Sequence, residues 1–164
     1  MNQQKIETLL KQLADSQTQL SELLVLVAGA QDWRPEPEEW SFRFLAAHLA
    51  TAEQECFQDR IQRIASDHNP SFEYYLNTGR DFSSLDLRTS LKAWRKTRQA
   101  IFRFVRNLPE TAWLQTGEHA IRGLITIWDV LVSILEHDQE HFANLRLAIE
   151  AYQDEETLHR GRRD

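Results

Sequence analysis

The chain has a single cysteine, Cys56, in 164 residues. An internal disulfide is therefore excluded, and so is a zinc site built from several thiolates. Glycine (5) and proline (4) are both scarce. These two residues interrupt helices, so their scarcity favours an all-α chain. No apolar run approaches the roughly 18 residues that a membrane span needs, and the opening Met1-Asn2-Gln3-Gln4-Lys5 carries no signal-peptide pattern. The expectation is a cytoplasmic protein in a reducing compartment, with no membrane partner. Basic charge is also in deficit, with a formal net charge of −6. Phosphate contacts dominate affinity for nucleic acid, so a nucleic-acid partner is not expected. Arg160, Arg162 and Arg163 are the exception, and they read as a solvated tail.

What the sequence does have is helical periodicity. Ile6, Leu10, Leu13, Gln17, Leu20, Leu24 and Val27 recur in steps of three and four, the stripe of a helix along a bundle seam. Gln17 is its one polar member. The same stripe would serve a homodimer seam, the alternative to a monomer. Gly29 marks the stop. Pro35 and Pro37 forbid helix in the connector that follows, where Trp33 and Trp40 are expected to pin the loop onto the bundle end.

A second helix is predicted from Ser41, its N-cap, to about Ser66. Ser41, Leu45, His48, Ala52, Glu55, Asp59 and Gln62 fall on one side of it. Residues 67–86 lose the pattern. Asn69-Pro70, Asn77-Thr78-Gly79 and Ser83-Ser84 are turn chemistry. Phe72, Tyr74, Tyr75 and Leu76 are expected to pack there as a short helical turn, with the connector bordering the site.

The third helix is predicted from Asp86 to about Leu108. Its buried side is Leu87, Leu91, Trp94, Ile101, Phe102 and Val105, and Arg95, Lys96, Arg98, Arg103 and Arg106 mostly mark its wet side. Thr111 to Gly123 reads as a second connector. Thr126 and Asp129 have capping-box spacing and open a fourth helix that ends near Tyr152. The fold class is thus a four-helix bundle over residues 1–153, with a long connector between helices 2 and 3 and a polar tail at 154–164.

Within the fourth helix His137 and His141 stand four apart, on one helix face with Cβ atoms about 5–6 Å apart. Val130, Ile134, Leu145 and Ala148 share that face. An imidazole on an apolar face is either hydrogen-bonded in the core or a metal ligand. Bundles build metal sites from inward side chains on facing helices, and His48 offers a third imidazole from the second helix. A zincin motif does not fit, because Asp138 stands where that motif requires glutamate. His119 either lines the site or holds its own connector. Glu55 and Asp59 either accept hydrogen bonds that orient an imidazole or, as favoured here, pair with Arg or Lys at the bundle end, and Cys56 is expected to be a small packed residue rather than a nucleophile.

These blocks carry a family resemblance. Trp40-Ser41 before His48-Leu49 and Glu53, Leu108-Pro109-Glu110-Thr111-Ala112-Trp113 before His119 and Gly123, and the closing His137-x-x-x-His141 helix occur in the order seen in the DinB/YfiT-like superfamily of metalloenzymes. The chain resembles that superfamily from residue 1 to about 150. The resemblance implies one divalent metal, zinc or nickel, held by His48, His137 and His141. It also implies a small-molecule substrate, such as a low-molecular-weight thiol, and S-transferase or hydrolase chemistry. The alternative is a non-catalytic metal-binding bundle acting as a sensor or interaction module. An enzyme should keep a pocket over the open coordination position. A non-enzyme should fill that position with a side chain.

Overall fold

A computed structural model describes residues 2–66, 68–77 and 79–161. Met1, Thr78, Arg162 and Arg163, named above, and position 67 of the connector lie outside the described residues. Four helical rods form the bundle. The first is α1 (Gln3–Leu26). The second is α2 (Phe42–Ala52), continued through a π-helical turn, Glu53–Gln58, into α3 (Asp59–Ser66). The third is α4 (Leu87–Arg106) and the fourth is α5 (Ile127–Gly161). α2 packs on α4, and α1 packs on α5.

The caps form at the residues the sequence offers. The Phe44 amide donates to Ser41 Oγ at 3.1 Å, and the Thr89 amide donates to Asp86 Oδ1 at 3.0 Å. At the head of α5 the Thr126 amide donates to Asp129 Oδ2 at 2.8 Å and the Asp129 amide to Thr126 Oγ1 at 3.3 Å, closing the capping box. The stripe on α1 is buried inside the chain itself, with Leu13, Leu20 and Leu24 inaccessible to solvent. Burying each leucine is worth roughly 1.5–3 kcal/mol, and none of the three is exposed to form a seam with a second copy. Trp33 pins the first connector. Its ring stacks on Phe42 at 5.3 Å, and its indole N–H donates to Glu155 Oε2 at 2.7 Å. Glu155 can accept it because α5 runs on past Tyr152 to Gly161, so the acidic stretch expected to follow the helix is part of it.

The two connectors also hold β structure that the sequence reading omits. Strands β1 (Ser71–Phe72), β2 (Thr116–His119) and β3 (Gly123–Thr126) form one small sheet in the order β1-β2-β3. β2 and β3 are an antiparallel hairpin, and β1 joins β2 in parallel. Phe72 to Leu76 is therefore not a helical turn. The Glu118 and Ala120 amides donate to Pro70 O and Phe72 O, which draws Ser71–Phe72 out as a strand, and residues 73–77 follow without helix. Phe72 is buried, while Tyr74 and Leu76 are exposed. Gly117 allows the close approach, since a Cβ there would meet the Phe72 ring at 2.5 Å.

The core is divided in two. One apolar cluster gathers Leu10, Leu13, Ile61, Ile64, Ile101, Val105, Leu131 and Ile134; the other gathers Leu20, Leu24, Leu45, Leu49, Leu87, Trp94 and Leu145. Between them lies a polar layer. Arg98 is fully buried there, although its charge reads as part of the wet side. Its Nε and Nη2 donate to the two carboxylate oxygens of Glu53. Its Nη1 and Nη2 donate to Asp138 at 3.0 and 3.2 Å, and Nη1 also donates to Leu13 O at 2.8 Å. All five guanidinium hydrogens are thereby used. Ser16 and Trp94 donate to the same carboxylates, so side chains from all four rods meet at this point.

Candidate metal centre

The candidate site occupies the same level of the bundle as Arg98. Asp138 turns inward to Arg98, and its neighbour His137 points to the other side of the polar layer. One helical turn on, His141 joins it, and His48 reaches across from α2. The Nε2 atoms of His48 and His137 lie 3.0 Å apart, and those of His141 and His137 lie 3.1 Å apart. One nitrogen from each ring falls within 4.8 Å of the other two. The structure therefore brings together the three histidines that the sequence singles out.

His137 Nε2 faces two ring nitrogens at once. A neutral imidazole nitrogen offers either one N–H or one lone pair, so it can satisfy only one of them. Protonating all three rings is no solution. Burial, reinforced by His141, pushes the pKa of His48 down to about 4. Burial, the other two histidines and Arg98 push His137 down to about 3. Burial also lowers His141, against the pull of Glu140 and Asp138. Near neutral pH the cluster is three uncharged nitrogen donors converging on one point. Tetrahedral ligands at the usual zinc–nitrogen distance of about 2.0–2.1 Å would sit roughly 3.3 Å from one another. The separations of 3.0 and 3.1 Å fit an ion after a small outward shift of the rings.

The rings are held from several sides. Trp40 packs on His48 and His141, with centroids 4.6 and 5.8 Å away. Phe57 packs edge-on against His137 at 5.4 Å. It can do so because the π-helical turn inserts an extra residue into the second rod and rotates the face that follows. Within this turn Glu53 is buried in the core and Glu55 is exposed. Glu55 pairs there with Arg80 at 2.5 Å, and Asp59 pairs with Arg63 at 3.5 Å, so both acids pair with arginine as expected. The remaining nitrogen of His48, Nδ1, meets the side-chain amide nitrogen of Asn77 at 2.8 Å.

A cavity of about 770 Å³ opens over the three histidines. Its walls include Trp40, Phe57, Tyr74, Tyr75, Asn77 and His119, so the 67–86 connector does border the site. Among the described residues no cysteine or carboxylate joins the histidine group. Cys56 reaches the cavity wall but is buried, and desolvation pushes its thiol up to about 11. That favours the packed thiol over a reactive thiolate. His119 does both things expected of it. It lines the cavity, and its Nδ1 accepts from the amides of Ile121 and Arg122 at 3.1 and 3.3 Å, which fixes the β2–β3 turn. Asn77 is the site neighbour that sequence reasoning missed as a side chain, because a turn asparagine gives no sign of what its amide will touch.

Among curated proteins no sequence matches the chain. Among solved structures the fold is similar to YfiT from Bacillus subtilis, a probable metal-dependent hydrolase with an unusual four-helix bundle topology. The TM-score is 0.77 at 16% identity, over 94% of this chain and 89% of that one. The sequence model of the DinB superfamily matches residues 12–145, which include all three histidines and the polar layer beside them, and the chain belongs to that superfamily.

Proposed function

We propose that this protein is a metal-dependent enzyme in which His48, His137 and His141 hold one divalent ion, zinc or nickel. The observation that carries the reading is His137 Nε2, which faces two neutral imidazole nitrogens and has a single hydrogen or lone pair to offer them. A cation at the point of convergence satisfies all three rings. When bound, such an ion supplies Lewis acidity and makes a water or a thiol nucleophilic near neutral pH.

The chain's own residues do the remaining work. Three neutral ligands leave the ion's charge uncancelled. Trp40 and Phe57 keep bulk water from the flanks of the rings. The cavity leaves room for a small molecule on the open side, which favours an enzyme over a sensor whose fourth position is closed by a side chain. Tyr74 and Tyr75 give that room an aromatic wall. The reaction is hydrolysis or transfer to a low-molecular-weight thiol. YfiT's description as a probable metal-dependent hydrolase supports the first, and the shared chemistry of water and thiol activation supports either.

Elemental analysis of the wild type and of His48→Ala, His137→Ala and His141→Ala tests the reading. We expect one ion per chain in the wild type and background levels in each variant. A tightly held ion retained by both His48→Ala and His137→Ala would overturn it. Assay of the zinc- and nickel-loaded forms with ester, amide and thiol-acceptor substrates then separates hydrolysis from transfer.

A further inference from the structure

Asn77 lies midway along a strap whose two ends are tied to one carboxylate. The Tyr75 hydroxyl donates to Glu55 Oε2 at 2.9 Å, and Arg80 pairs with the same oxygen. The Asn77 side chain is buried, and its Nδ2 sits 2.8 Å from His48 Nδ1 and 3.1 Å from Thr51 Oγ1. Its Oδ1 is buried with no partner.

In this arrangement the amide N–H donates to His48 Nδ1. The imidazole proton then resides on Nε2, the nitrogen that faces His137. An ion at Nε2 needs the lone pair there, so the proton must move to Nδ1, and Nδ1–H then needs an acceptor. Among the described residues Asn77 is the side chain that Nδ1 touches. A half-turn of its amide about Cβ–Cγ brings Oδ1 to the same place. Thr51 Oγ1 can accompany the change, because a hydroxyl either donates or accepts. It now donates to the carbonyls of Ala47 and His48, at 2.9 and 3.1 Å. The present orientation leaves Oδ1 unpartnered, and the turned one would offer Oδ1 to the imidazole and the Thr51 hydroxyl at the cost of burying Nδ2, so the position of the imidazole proton decides between them.

We infer that Asn77 is a positioning residue for His48, presenting its nitrogen to Nδ1 in the metal-free protein and its oxygen to Nδ1–H in the loaded one. Loading thereby fixes the tautomer of His48 and the orientation of an amide on the substrate-facing connector. This rests on the metal-centre reading above. Hydrogen-bond partners of metal-bound histidines typically account for 10–100-fold of metal affinity.

The test uses zinc on the full chain, with two readouts. The first is the 15N chemical shifts of the His48 ring, recorded before and after one equivalent of zinc. The second is zinc affinity by chelator competition for the wild type, Asn77→Asp and Asn77→Leu, with the thermal melt of each metal-free variant measured alongside. We expect zinc to move the proton from Nε2 to Nδ1. Asn77→Asp, which can only accept, should bind at least as tightly as wild type, and Asn77→Leu should bind 10–100-fold more weakly. If Asn77→Leu fails to fold, the tautomer shift and Asn77→Asp still decide. Asn77→Asp weakened as much as Asn77→Leu, or His48 keeping its proton on Nε2 when loaded, would overturn the inference while leaving the metal centre intact. A wild type that binds no zinc or nickel would overturn both.

Discussion

Two polar clusters share the middle of this bundle, and they resolve the same difficulty in opposite ways. Arg98, Glu53 and Asp138 are buried, charged and saturated, with every guanidinium hydrogen placed on an oxygen. Burial works against the Arg98 charge, but the two carboxylates outweigh it and hold its pKa above the ordinary arginine range. Burial still pushes the Glu53 carboxyl upward, against the pull of Arg98. His48, His137 and His141 are uncharged and unsaturated, with three nitrogens aimed at one another and a cavity beyond them. Neighbouring residues of a single helix, His137 and Asp138, belong to different clusters. The difference teaches where to look for chemistry. A polar group whose partners are all protein is structural, and one whose partners cannot all be satisfied by protein is waiting for something else.

The sharpest way to break this comparison is to remove Arg98. Arg98→Leu strands two carboxylates in the core and should cost about 3–5 kcal/mol by denaturant unfolding. Replacing Arg98, Glu53 and Asp138 together with apolar residues of similar volume should recover most of that loss. Equal losses in the single and triple variants would show that the network is worth more than its desolvation.

The histidine cluster should respond in the other sense. His137→Ala should change the stability of the metal-free protein by only about 1 kcal/mol, because its ring borders a cavity. The same variant should lose the melting-point gain that excess metal gives the wild type, which corresponds to roughly 2.7 kcal/mol at a hundredfold excess over Kd.

Acid separates the clusters further. In the folded protein His48 and His137 have pKa values of about 4 and 3, whereas unfolded histidine titrates near 6.5. Between those values the unfolded chain binds more protons, so stability contributed by the neutral rings is complete above pH 6.5 and is lost as pH falls toward 4. Glu53, with its raised pKa, acts in the opposite direction, so the histidine share is best read as a difference. Wild type minus His137→Gln should show a slope of up to about 1.4 kcal/mol per pH unit in that window, measured on metal-free protein. The smallest effect belongs to His159, which stands 3.8 Å from Glu155 on the surface. His159→Ala should shift stability by less than about 0.5 kcal/mol and leave metal content unchanged.

Much of this was legible in the sequence, and for identifiable reasons. The α1 stripe, the caps at Ser41, Asp86 and Thr126, and the i, i+4 pair at His137 and His141 are all local rules. The burial of Arg98 was misread, although the residue falls in step with Leu91, Trp94, Ile101 and Val105. Its charge suggested water, and the matching breaks at Glu53 and Asp138 in neighbouring stripes were the missed signal. The small sheet was harder. β1 is two residues long and exists because Gly117 lets Phe72 approach, a pairing across more than 40 positions that no local pattern carries. The contact of Asn77 with His48 likewise depends on where a long connector lands.

The π-helical turn at Glu53–Gln58 has a consequence for length. An α-helix advances about 100° per residue, so the extra residue works as a phase adjuster within one rod. Ahead of it His48 faces the cavity; beyond it Ile61 and Ile64 pack into the apolar cluster of Leu10, Leu13 and Ile134. Delete a single residue there, and a regular helix would carry one of these two faces about a quarter-turn out of place. The rod could then keep its packing or its imidazole, but not both. Substitution of the exposed Gln54 should therefore be better tolerated than any one-residue change in spacing.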